Sequence, residues 1–119
     1  RLLNMTRIGF HKINDIVACP GTDTCNLGIS SSMGLANKLQ EIIEDEYENF
    51  ITDHKLDIKI SGCMNACGQH TLANIGFQGM TMKVNNLIAP ATQLLLGGGV
   101  LGKKKLNTPK PAATMAAIL

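Results

Sequence analysis

The chain has 119 residues, enough for one domain and too few for two ordinary ones. It is 45% apolar and 17% charged with a mean hydropathy of +0.10, the composition of a packed chain and not of a disordered one. A formal net charge of +2 excludes an argument for nucleic acid or a membrane surface from charge alone, and one Tyr, three Phe and no Trp leave no aromatic platform for bases.

Residues 1–14 mix basic, apolar and polar types without a clear period and are read as a strand or loop entering the domain. Asp15-Ile16-Val17-Ala18 is a short β-prone run stopped at Cys19-Pro20-Gly21, where Pro and Gly end a strand and expose backbone amides. Ser30, Ser31 and Ser32 then offer N-caps for the strongest helical signal in the chain. Leu35, Ala36, Leu39, Ile42, Ile43, Tyr47 and Phe50 mark one face of that helix. Lys38, Gln40, Glu41, Glu44, Asp45 and Glu48 mark the other, which is read as solvated.

Asp57-Ile58-Lys59-Ile60-Ser61 alternates with period two and predicts a half-buried strand that ends at Gly62-Cys63. Residues 72–84 read as a strand in two pieces, broken around Gly76 and Gly79, and residues 92–96 as a further apolar strand. Gly97-Gly98-Gly99 marks a tight strand exit; it lacks the Lys-Ser/Thr ending of a phosphate loop. The stretch 86–102 is apolar but contains Pro90 and several glycines, and is shorter than the ~20 apolar residues of a membrane helix. Residues 103–119 predict a loop, with Lys103-Lys104-Lys105 and Pro109-Lys110-Pro111, and then the start of a helix at 112–119. The expected fold is α+β, a mixed β-sheet flanked by a long helix and a shorter one, in a single partial domain over 1–119.

The four cysteines fall at 19, 25, 63 and 67, as C-x5-C and C-x3-C separated by 37 residues. Both pairs follow predicted strands and lie in glycine-containing turns, where a sheet can converge side chains on one ligand. Three chemistries suit such a set. A disulfide pair needs an oxidising compartment. A structural zinc site uses tighter knuckles than C-x5-C. An iron–sulfur cluster takes four thiolates from loops of this kind and is favoured by the spacing.

The residues around the cysteines carry more. Ala18-Cys19-Pro20-Gly21 leads to Cys25-Asn26-Leu27-Gly28, and Ser61-Gly62-Cys63-Met64-Asn65-Ala66-Cys67-Gly68-Gln69-His70 follows. Ala73-Asn74-Ile75-Gly76-Phe77-Gln78-Gly79 and Gln93-Leu94-Leu95-Leu96-Gly97-Gly98-Gly99 complete the pattern. Together they closely resemble the sirohaem-dependent nitrite and sulfite reductases over about residues 15–110. The resemblance implies that Cys19, Cys25, Cys63 and Cys67 hold a [4Fe–4S] cluster and that Cys67 is also the axial thiolate of sirohaem. It further implies that Asn65 and one or both of Gln69 and His70 line the cofactor, against a residue stabilising a left-handed turn for Asn65 and a polar pair merely starting the next element for Gln69 and His70.

The implied function is multi-electron reduction of nitrite to ammonia or of sulfite to sulfide, with electrons from a donor such as ferredoxin or a reductase subunit. An electron-transfer module without sirohaem and a zinc-stabilised interaction domain are the other readings. Arg1 and Arg7 are the only arginines. No catalytic residue is therefore assigned in this chain, which is expected to be an inactive piece needing the remainder of the reductase; whether the isolated piece holds the cluster or sirohaem is left open by the sequence. The chain opens at Arg1 without a secretory pattern, and a cytoplasmic location is expected. His11 and His54 read as surface histidines, and Met33, Met64, Met80 and Met82 as packing residues.

Overall fold

The computed structural model describes residues 12–47, 56–98 and 108–109. The expectations for residues 1–11, His54, Phe50, Lys103-Lys104-Lys105 and the helix at 112–119 lie outside these residues. Strands β1 (Val17–Ala18), β2 (Ile58–Ser61), β3 (Ile75–Val84), β4 (Leu87–Leu96) and β5 (Thr108–Pro109) form one sheet in the order β1-β2-β3-β4-β5. β1 and β2 pair parallel, as do β2 and β3, whereas β4 runs antiparallel to both β3 and β5. The sheet is mixed and the fold is α+β.

A single α-helix, α1 (Ser32–Glu46), is found among the described residues and connects β1 to β2. Of the three candidate serines, Ser31 is the N-cap: its side chain accepts from the Gly34 amide at 3.2 Å. The apolar stripe of α1 packs on the parallel strands. Ala36 and Ile43 are buried with Ile13, Ile58 and Ile60, and Leu35, Leu39, Ile16, Ala18, Leu56, Ile75 and Phe77 pack around them. Burial of each large aliphatic side chain contributes about 1.5–3 kcal/mol, so an aromatic-poor sequence still builds a core. The opposite face is solvated, with Lys38 paired to Glu41 at 2.9 Å and both well exposed.

The segment after β2 departs from the sequence reading in three places. β3 is one continuous strand and not two pieces, because Gly76 and Gly79 sit within its ladder to β4. β4 begins at Leu87, five residues before the expected strand, since Asn85 (φ 48°) and Asn86 (φ 66°) form a two-residue turn with both positions left-handed. Residues 108 and 109, expected in a loop, pair with Leu96 and Leu95 as β5. Pro109 is tolerated there because an edge position can spare an amide donor. The hairpin runs well past the core, and Leu87 and Ile88 at its tip are exposed.

Candidate functional site

Parallel pairing sets the site. It places the carboxyl ends of β1 and β2 side by side, with Val17 opposite Lys59 and Ala18 opposite Ile60. The next residue after β1 is Cys19, whose amide donates to the Ile60 carbonyl at 3.1 Å and prolongs the ladder by one step. β2 ends at Ser61, and the turn that follows carries Cys63 and Cys67. The two cysteine loops therefore leave the same end of the sheet, where an α/β fold ordinarily presents a ligand.

Backbone bonds then lock the loops together. The Ile29 and Ser30 amides both donate to the Gly62 carbonyl, at 2.9 and 3.1 Å. The Cys25 amide donates to the Gly21 carbonyl at 3.0 Å, closing the first loop over a short 3-10 turn, Gly21–Asp23. Gly21 has φ +56° and packs against Ser32, Ser30 and the backbone of Gly62, so a side chain there is excluded by conformation and by space alike. Gly79 on β3 lies against the Gly62 carbonyl and Ser30 Oγ in the same way.

All four cysteines border one hollow of about 110 Å³, together with Pro20, Gly21, Leu27, Gly28, Gly62 and Asn65. Each is a free thiol. Cys63 is buried, Cys19 is half-buried, and Cys25 and Cys67 are exposed. Cys19 Sγ accepts the Gly62 amide at 3.1 Å and lies 3.5 Å from Ser32 Oγ. Burial alone would raise the Cys19 thiol, but the Ser32 hydroxyl and the amides of Gly62 and Gly21 outweigh it and hold the thiol below its ordinary value. No group of three or more His, Cys, Asp or Glu side chains among the described residues is gathered as a single metal ion requires. The thiols surround a space without closing on a point.

The remaining predicted site residues divide. Asn65 borders the hollow, and the left-handed residue of its turn is the adjacent Ala66 (φ 57°), not Asn65 itself. Gln69 is exposed, adopts φ 57°, and accepts from Lys59 Nζ at 2.9 Å, away from the lining. His70 points into the protein, 1% exposed, with Nε2 3.1 Å from Gln78 Oε1. Burial holds its pKa down, against the opposing effect of Gln78. Met33 and Met64 are exposed and do not pack in the core, unlike the sequence reading. Leu27, also exposed beside the hollow, and Ser32 had no site signal of their own; three consecutive serines concealed that only one of them could cap the helix.

The fold and the hollow define a four-cysteine centre carried on the carboxyl edge of a parallel strand pair. The family model described as the nitrite and sulphite reductase 4Fe-4S domain matches residues 10–117, and the chain belongs to that family. It is 32% identical over 84 residues to an assimilatory ferredoxin-dependent nitrite reductase of Haloferax mediterranei, covering 71% of this chain and 14% of that protein. It is 33% identical over 91 residues to the NADPH sulfite reductase hemoprotein beta-component of Geobacillus thermodenitrificans, covering 73% of this chain and 15% of that protein. The Mycobacterium tuberculosis NirA structure shares its fold, with a TM-score of 0.60 and 24% identity over 80% of this chain and 18% of that one. The chain thus spans about a seventh of the length of these curated relatives.

Proposed function

We propose that this chain supplies the cluster-holding segment of a nitrite or sulfite reductase, with Cys19, Cys25, Cys63 and Cys67 as the ligands of a [4Fe–4S] cluster. The observation that carries the reading is the convergence of four free thiols from two loops on a single hollow. The donor set suits iron–sulfur chemistry: soft sulfur ligands, glycine walls and a backbone amide already aimed at one sulfur. A lone zinc ion fits less well. It needs four sulfurs at about 2.3 Å around one point, and the described side chains gather no such group.

When bound, the cluster and sirohaem supply electron storage and the iron at which the anion is reduced. The chain's own residues hold, orient and shield. Gly62 stabilises the Cys19 thiolate through its amide. Cys63 anchors the buried side of the hollow, while Cys25 and Cys67 occupy its open side. Exposure is common to both, and it is the family resemblance that selects Cys67 as the thiolate shared with sirohaem. Asn65, bordering the same hollow, is placed to touch a bound cofactor. Gln69 and His70 serve it indirectly, by fixing the turn that follows Cys67 to Lys59 and to Gln78.

Among the described residues no helix is long and apolar enough to cross a membrane. A cytoplasmic location is part of this reading, since an iron–sulfur cluster on four thiolates suits a reducing compartment. The donor in this reading is a ferredoxin or a reductase subunit, in keeping with relatives named as ferredoxin-dependent and as an NADPH sulfite reductase component. Alone, the segment reduces neither anion, because the cationic side chains that bind substrate and haem carboxylates lie in the remainder of the reductase. Steady-state assays of the full-length protein with nitrite and with sulfite test the reading. Reduction of one anion, lost on Cys67→Ser together with the sirohaem absorption, is the expected result. Full activity in that variant would overturn it.

A further inference from the structure

Ser32 is the first residue of α1 and one of the most deeply buried polar side chains, 1% exposed, yet Ser31 already caps the helix. Its hydroxyl serves a different purpose. Oγ donates to the Cys19 carbonyl at 2.6 Å and stands 3.5 Å from Cys19 Sγ, within the longer reach of a sulfur hydrogen bond. A hydroxyl carries one proton and turns freely about its C–O bond, so it can serve either acceptor but not both. With Cys19 as a thiol, the carbonyl takes that proton and the S–H can donate to Oγ. A metal-bound Cys19 has no proton to give, and its sulfur becomes the more negative of the two acceptors.

The geometry points to Ser32 as a positioning residue that tunes the centre: on metal binding its hydroxyl turns from the Cys19 carbonyl to Cys19 Sγ and stabilises the more negative, reduced state. This rests on the cluster reading given above. Hydrogen bonds to ligating sulfurs raise the potential of an iron–sulfur centre by favouring the added electron. The Gly62 amide makes such a bond as a fixed donor; Ser32 adds one that responds to the state of the sulfur. The site is built for this contact. Gly21 has no side chain, and a Cβ there would collide with Ser32 Oγ, so the hydroxyl keeps its place beside Cys19 only because residue 21 is glycine. Burial of Ser32 also keeps water from replacing the donor.

The test compares the intact polypeptide with its Ser32→Ala variant after anaerobic reconstitution with iron and sulfide. Iron and sulfide content are read first, then the midpoint potential by EPR-monitored titration. The expected variant binds the same iron and sulfide but has a lower potential. A second measurement stands on the unaltered protein, should the variant fail to fold. The Fe–S(Cys) stretching bands in resonance Raman should shift within a brief exposure to D2O, because a hydroxyl exchanges far faster than the buried backbone amides of Gly62 and Gly21 that also face Cys19. An unchanged potential in a fully loaded variant, or no early D2O shift in the unaltered protein, would overturn the role of Ser32. Failure of the unaltered protein to take up iron would instead overturn the cluster reading, and this inference with it.

Discussion

Around Cys19 the local chemistry is set by neighbours far away in sequence: Gly62 from the second cysteine loop and Ser32 from the helix. Cys63 lines the same hollow from its buried side. We therefore expect Cys63→Ser to lose most of its iron on reconstitution, from about four per chain to below one, while its far-UV circular dichroism stays unchanged; iron assay against protein concentration checks this. His70 makes a separate prediction. Its pKa in the fold lies below the ordinary 6.5, so the unfolded chain binds more protons in the interval between the two values. Its contribution to stability is complete above 6.5 and is lost as pH falls toward the folded value. Urea midpoints measured from pH 7.5 down to about 5, where carboxylates remain largely ionised, should fall more steeply in the unaltered protein than in His70→Gln. Equal slopes would remove His70 from the account.

Among the elements, the parallel pair β1 and β2 positions the centre, and β3 holds it from behind. Gly79 of β3 packs on the Gly62 carbonyl, the same oxygen that receives the Ile29 and Ser30 amides and so joins the two loops. Gly79→Ala pushes a methyl group into that junction. It is expected to cost about 1–3 kcal/mol, as overpacking does, and to lower iron uptake with it; a chemical-denaturation curve and an iron assay read the two effects. The same glycine explains where the sequence misleads. Glycines in a strand ordinarily read as breaks, but Gly79 is demanded by a backbone distant in sequence, which no local pattern reveals. The amphipathic period of α1 and the alternation in β2 were legible because their partners are water on one side and core on the other. The β3–β4 turn rests on Asn85-Asn86, a pair that signals a turn more weakly than Asn-Gly. The cysteines were legible as a set from spacing and neighbouring residues, whereas the roles of Ser32 and of buried His70 depend on where the chain folds back.

For the whole molecule, the proportions matter most. The matches cover 71% and 73% of the chain but only 14% and 15% of the two reductases described above, so those relatives extend far beyond the segment that holds the four cysteines. Leu27 and Met64 beside the cysteines are exposed, which leaves the side of the segment that carries the hollow open. The central claim is that the four thiols act as one ligand set. Anaerobic reconstitution of the intact polypeptide, with iron, acid-labile sulfide and zinc measured per chain, tests it most directly. About four iron and four sulfide per chain, with little zinc and with the iron lost on Cys19→Ser, Cys25→Ser, Cys63→Ser or Cys67→Ser alike, is the result expected. One zinc per chain and no sulfide, or iron retained in any of the four variants, would contradict it.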